Sequence, residues 1–138
     1  MAKALMVANN PAVQTLTSGS AVNLGTALHG FGNCNCQKII SISNGGVALG
    51  EGGYYTFMIS ANVSNSDAGN VTLTVFQDGA ATPFVMSETI AAANDPASIT
   101  LTGAVVVNRC SSSVLTVVAT TTAGDAIVNN IATTVTKE

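Results

Sequence analysis

The sequence predicts an all-β fold, an antiparallel β-sandwich, on three observations. Apolar residues recur with a period of two through long stretches. Clusters of Gly, Asn and Asp punctuate those stretches at a spacing of roughly eight to twelve residues. No segment carries a helical period with caps; the nearest, Ala91-Ala92-Ala93, is one turn at most.

In chain order, short apolar pieces come first, at residues 4–8, 13–16, 21–24, 39–43 and 47–49. Gly52-Gly53 then opens the clearest strand. Tyr55, Phe57, Ile59, Ala61 and Val63 alternate there with Thr56, Met58, Ser60 and Asn62, as they do when one face is buried. The cluster Asn65-Ser66-Asp67-Ala68-Gly69 ends it, and Val71, Leu73 and Val75 share a face of the next run, so the two read as a hairpin. Asp78-Gly79 makes a further turn. Residues 84–90 form an irregular strand closed by Asn94-Asp95-Pro96. Ile99, Leu101, Gly103, Val105 and Val107 alternate through another, and 114–120 is a β-branched run ending at Ala123-Gly124-Asp125. Ile127, Asn129, Ile131, Thr133 and Val135 are expected to line one face of the last strand. No repeat or linker divides the 138 residues, which read as a single domain over 1–138.

Composition narrows the function classes. Charged residues are 8% of the chain, against roughly 25% in an average soluble protein. Hydrophobic residues are 47%, many of them Ala and Val, and the polar remainder is Ser, Thr, Asn and Gly. So little charge protects a monomer poorly against association, which points to surface buried in an oligomer. The four basic residues, Lys3, Lys38, Arg109 and Lys137, form no patch for a phosphate backbone, so no nucleic-acid partner is expected. No uninterrupted run of about 18 apolar residues is present, so no membrane insertion is expected. The apolar stretch before Asn9-Asn10-Pro11 is too short for a signal peptide's core, and synthesis in a cytosol follows.

The candidate chemical groups are few. Zinc needs about four Cys, His or carboxylate ligands, and the supply is Cys34, Cys36, Cys110 and His29. Cys-x-Cys places Cys34 and Cys36 on one side of an extended strand, where they could clip a metal, yet no second pair follows. Buried thiols or a disulfide from Cys110 to one of them are the competing readings, and packing is preferred in a reducing cytosol. Three copies around an axis could still assemble a metal site that one chain lacks. His29, in Leu28-His29-Gly30-Phe31, has a loop-like setting and no nucleophile motif beside it. Glu51 and Glu88 are the conceivable glycosidase pair, without an aromatic platform to support them. Asn65, Asp67 and Asn70 make an oxygen-rich loop better read as an Asx-stabilised turn than as a calcium site. "SNGGVALGEGG" lacks the Lys-Ser/Thr and helix of a phosphate loop. No cofactor and no enzyme activity are expected.

"GEGGYYTFMISANVS" followed by "GNVTLTVFQDGAATP" resembles the middle of a C1q/TNF-like jelly roll. Gly53, Tyr54, Tyr55 and Phe57 carry the first match, and Val71, Leu73, Val75, Asp78 and Gly79 the second. The pattern covers roughly residues 40–136, without the collagen-like stalk of the C1q pattern. The opening "MAKALMVANN", the Cys-x-Cys and the closing "DAIVNNIATTVTKE" resemble small proteins encoded in phages and prophages of gut-associated bacteria. Together the resemblances imply a homotrimeric jelly roll in a virion, assembled in the bacterial host cytoplasm. A capsid decoration or head-fibre protein bound to the major capsid protein or another virion protein is the leading expectation, with residues 1–20 as a docking arm. The alternative is a tail-fibre adhesion module whose loops 64–70 and 78–83 touch a host surface glycan.

Overall fold

The computed structural model describes residues 4–31 and 39–138, and the backbone alone of residues 29–31. Among the described residues the chain forms twelve strands: β1 (Ala4–Asn10), β2 (Gln14–Leu16), β3 (Ser20–Val22), β4 (Thr26–Phe31), β5 (Ile40–Ser43), β6 (Gly46–Leu49), β7 (Gly53–Asn65), β8 (Gly69–Gln77), β9 (Ala80–Ile90), β10 (Ala97–Val107), β11 (Ser113–Thr121) and β12 (Ala126–Lys137). They make two antiparallel sheets. The first runs β10-β7-β12-β1-β4, with β2 also on β12; the second runs β5-β6-β11-β8-β9, with β3 on β11. The chain repeatedly crosses between the sheets, which is the jelly-roll solution to closing a two-layer core.

The core lies between the sheets, where the period of two puts it. Tyr55, Phe57, Ile59, Ala61 and Val63 of β7 are buried, as are Val71, Leu73 and Val75 of β8 and Leu115, Val117 and Ala119 of β11. Phe84 reaches in from β9 and meets Phe57 edge to face, with ring centroids 5.3 Å apart at 87°. Gly103 makes this possible. A β-carbon there would stand 2.5 Å from the Phe84 ring, so the gap in the β10 alternation is the seat of that ring.

Three expectations change. Thr26–Phe31 is a strand, not a loop: β4 pairs with β1, and the backbone of His29 lies opposite Val7 beside a bulge. Its sequence shows no alternation because β4 is a sheet edge, with Thr26, Ala27 and Leu28 all exposed. Second, residues 4–20, the expected docking arm, are placed in the sheets. β1 lies between β12 and β4 with Ala4, Met6 and Ala8 buried, while Val13 in the β1–β2 connection is exposed.

The third change is in β12. Asn129 pairs with Asn62 and Ala132 with Ser60, so Asn130 and Ile131 together oppose Ala61. This is a β-bulge, and Asn130 takes a left-handed φ of 49°, which Asn tolerates better than other non-glycine residues. The extra residue reverses the faces. Ala126 and Val128 are buried before it, and Ile131, Thr133 and Val135 after it. Ile127 and Asn129 therefore face outward, not with Ile131 as the simple alternation implies.

Two outcomes follow for urea unfolding. Phe57→Ala removes the Phe84 contact and leaves a cavity, costing about 3–5 kcal/mol, whereas Thr56→Ala on the outer face stays within about 0.5 kcal/mol of wild type. At the bulge, Asn130→Val costs about 1–2 kcal/mol because a β-branched residue resists positive φ. Asn130→Gly, free of that restriction, stays near wild type.

Candidate functional site

Among the described residues, charge is confined to the ends of the sandwich and one edge. Glu51, Asp67, Asp78, Asp95, Arg109 and Asp125 lie in turns, Lys137 and Glu138 at the close of β12, and Glu88 on the edge strand β9. Both broad sheet faces are free of charged side chains in β1, β7, β8, β10, β11 and the body of β12.

The outer face of the first sheet grades along its strands. Tyr54 pairs with Val106 across β7 and β10, and Met58 stands further along the same face. These three are 50%, 62% and 52% exposed and stand on one face of neighbouring strands. Around them are small or hydroxylated neighbours, Thr56 opposite Ala104 and Thr136, and Thr102 and Thr134 opposite Met58. Toward the far turns the face becomes amide-rich, with Asn62 opposite Asn129. Register alone produces this face: residues 54, 58 and 62 point out because 55, 57, 59, 61 and 63 point in.

At the strand end near Tyr54, a shallow pocket of about 490 Å³ is lined by Glu51, Gly52, Gly53, Val107, Arg109, Cys110 and Lys137. The Lys137 ammonium, nearly buried, pairs with the half-exposed Glu51 carboxylate. Its stem crosses so close to Gly53 that a β-carbon there would lie 2.6 Å from Lys137 Cε. The Tyr55 hydroxyl donates to the Glu51 carbonyl at 2.7 Å. Burial, aided by the Glu51 carboxylate, raises the Tyr55 phenol above its ordinary value.

The chemical candidates are not gathered into a centre. Cys34 and Cys36 lie outside the described residues. Cys110 is exposed in the β10–β11 turn, at the β10 edge of the first sheet, and His29 lies in β4 at the opposite edge. Four strand spacings, about 19 Å, separate those edges, so His29 and Cys110 share no intrachain metal site. No group of three His, Cys, Asp or Glu among the described residues could hold a metal ion. Glu51 and Glu88 lie toward opposite ends of the sandwich, Glu51 beside Lys137 and Glu88 opposite Val71, and they form no glycosidase pair. In the oxygen-rich loop, buried Asn65 donates to the Ala123 carbonyl at 2.6 Å and accepts from the Ser66 N–H at 3.1 Å. Asn70 Oδ1 accepts from the Thr89 hydroxyl at 3.0 Å. These amides staple turns together. The amide end was the feature sequence reasoning missed, and the bulge is why: its only signal was the pair Asn129-Asn130.

No family model matches the chain, and no curated protein matches it in sequence. Solved structures do match. Eiger, a TNF from S. frugiperda, superposes with a TM-score of 0.69 at 12% identity, over 98% of this chain and 90% of that one. Murine APRIL at pH 5.0 gives 0.68 at 8% identity, over 96% and 98%. The fold is a TNF-like jelly roll. The PRD1 vertex protein P5 is similar as well, at a TM-score of 0.63 and 18% identity over 99% of this chain and 98% of that one. This jelly roll thus has structural neighbours in a TNF, in APRIL and in a vertex protein.

The raised Tyr55 phenol sets a pH dependence. Above pH ~10 the unfolded chain ionises this tyrosine while the folded chain resists, so stability is full below that pH and falls as pH rises through it. Stability measured by urea unfolding across the alkaline range is expected to decline for wild type and to decline less for Tyr55→Phe. That variant starts about 1 kcal/mol lower at neutral pH, for the lost hydrogen bond.

Proposed function

We propose that this protein is a structural component of a phage particle, a homotrimer bound to the capsid surface as a decoration or head-fibre protein. The observation that carries the reading is the charge-free outer face of the first sheet, with Tyr54, Met58 and Val106 exposed in one patch. A neutral, flat, partly apolar sheet face suits contact with a second copy, because no charge must be stripped of water when it closes. The fold similarity to a vertex protein supports a place on a particle, and the C1q/TNF-like pattern supports the trimer. The work of such a protein is mechanical. Three linked copies give an avidity to a repeating shell that one weak contact lacks.

Light scattering after gel filtration, followed by co-sedimentation with phage particles, tests both parts. The expected result is three chains per assembly, retained on particles. Met58→Asp, which places a charge in the patch, is expected to give single chains that still fold, whereas Thr74→Asp on the outer face of the second sheet leaves the assembly intact. A mass of one chain at all concentrations for wild type overturns the trimer. Retention on cells or glycans but never on particles moves the protein to the adhesion class.

A further inference from the structure

Asn62, Asn94 and Asn129 converge on a concave site of about 420 Å³ at the turn end of the first sheet, with Ser64, Pro96 and Ile127 beside them. Strand register explains the convergence. Asn62 stands opposite Asn129, and Ser64 opposite Ile127, because the bulge at Asn130 has turned Ile127 and Asn129 outward. Asn94 arrives from the β9–β10 turn, held there by its own N–H bond to the Asn65 carbonyl at 2.8 Å and by the Ser64 hydroxyl, which donates to the Asp95 carbonyl at 2.8 Å. The walls are therefore fixed by strand pairing and turn bonds. Among the described residues no hydrogen bond occupies the three amides, in contrast to Asn65, whose amide ties two turns together.

We propose that this site binds a neutral saccharide residue. Each amide offers two N–H donors and a carbonyl acceptor, and sugar hydroxyls are the common ligand groups that both donate and accept. Ile127 and Pro96 supply an apolar patch against which the C–H face of a pyranose can rest. The volume falls in the usual range for small-molecule sites, roughly 300–1,000 Å³. No charged side chain lines the site, and the acids of the same end, Asp67, Asp95 and Asp125, disfavour an anionic sugar. The apolar patch is separate. Four residues of extended β7, about 13 Å, run from Met58, the member of the patch nearest this site, to Asn62, so closing the apolar end of the face against another copy leaves the amide end at the rim.

The test is a titration of the ¹⁵N-labelled full chain, followed by NMR, with neutral hexoses and N-acetylhexosamines, free and as terminal residues of oligosaccharides. Glucuronic and sialic acids serve as the charged comparison. The expected result is a neutral sugar that shifts the side-chain amides of Asn62, Asn94 and Asn129, with the oligosaccharide arm showing whether the residue is read alone or at a chain end. Asn62→Ala with Asn129→Ala weakens that binding about tenfold or more. Asn94→Gly weakens it too, while glycine keeps the turn's positive φ of 65° and hence the fold. The proposal is overturned if no neutral sugar moves these amides at tens of millimolar, if the shifts survive in the double variant, or if the acidic sugars bind more tightly. Met58→Asp leaves the site intact, so failure of the assembly reading and failure of this one are separable.

Discussion

Strand β7 is paired along its length with β10 on one side and with β12 on the other, and its register fixes both faces of the first sheet at once. A slip of one residue would carry Tyr55, Phe57 and Ile59 into water and bring Tyr54, Thr56 and Met58 into the core. The core cannot absorb that exchange. Phe57 is one of only four phenylalanines in a chain without tryptophan, and its edge-to-face partner Phe84 fits only because position 103 is glycine. The large side chains thus act as a key for register as well as a source of burial. The outer face, which supports the functional reading, is a consequence of that key.

The bulge in β12 breaks the register of β7's own pairing. Without the extra residue, Ile127 and Asn129 would point into the sandwich on the same side as Ile131, and a polar amide would be buried without a partner. Such burial costs roughly 1–3 kcal/mol. With the bulge, Ala126 and Val128 fill the narrow end of the core, and the larger and more polar side chains turn outward. Asn130 can hold the positive φ this requires because its short polar side chain tolerates the left-handed region. A single backbone irregularity therefore does two things: it closes the core and furnishes the amide end of the outer face.

Strands with one buried face were legible in the sequence because such burial writes a period of two, and β7, β8, β10 and β11 all carry it, β10 although it is a sheet edge. Strands exposed along most of their length write no such signal. β4 has no alternation to read, and β9 begins at Ala80, four residues before its first evident apolar position at Phe84, because nearly all of it is exposed. The face reversal in β12 was illegible for another reason: Asn129-Asn130 in a polar-apolar alternation looks the same whether it is a bulge or an ordinary strand. The site followed the same division. Individual residues such as His29, Cys110, Glu51 and Glu88 attract attention by chemical type, but the fold places them at separate edges and ends. The residues that share a surface, Tyr54, Met58 and Val106, or Asn62 and Asn129, are recognisable only once cross-strand partners are known.

Where charge is absent matters as much as where it lies. The turn end carries Asp67, Asp95 and Asp125 with no described cation among them, while Glu51, Asp78, Glu138, Arg109 and Lys137 mix signs at the other. Two like turn ends approaching each other meet three acids against three, a repulsion felt within a Debye length of about 8 Å at physiological salt. Two neutral sheet faces approaching each other meet none. The same distribution therefore discourages end-to-end stacking of copies and leaves side-by-side contact unopposed. The edges are managed within the chain: β9 carries Pro83, Glu88 and a register shift, and it packs beside β10, where Gln77 Nε2 donates to the Val106 carbonyl at 3.0 Å. With 8% charge and neutral sheet faces, the chain carries little that opposes lateral contact along the first sheet, where its exposed apolar residues stand.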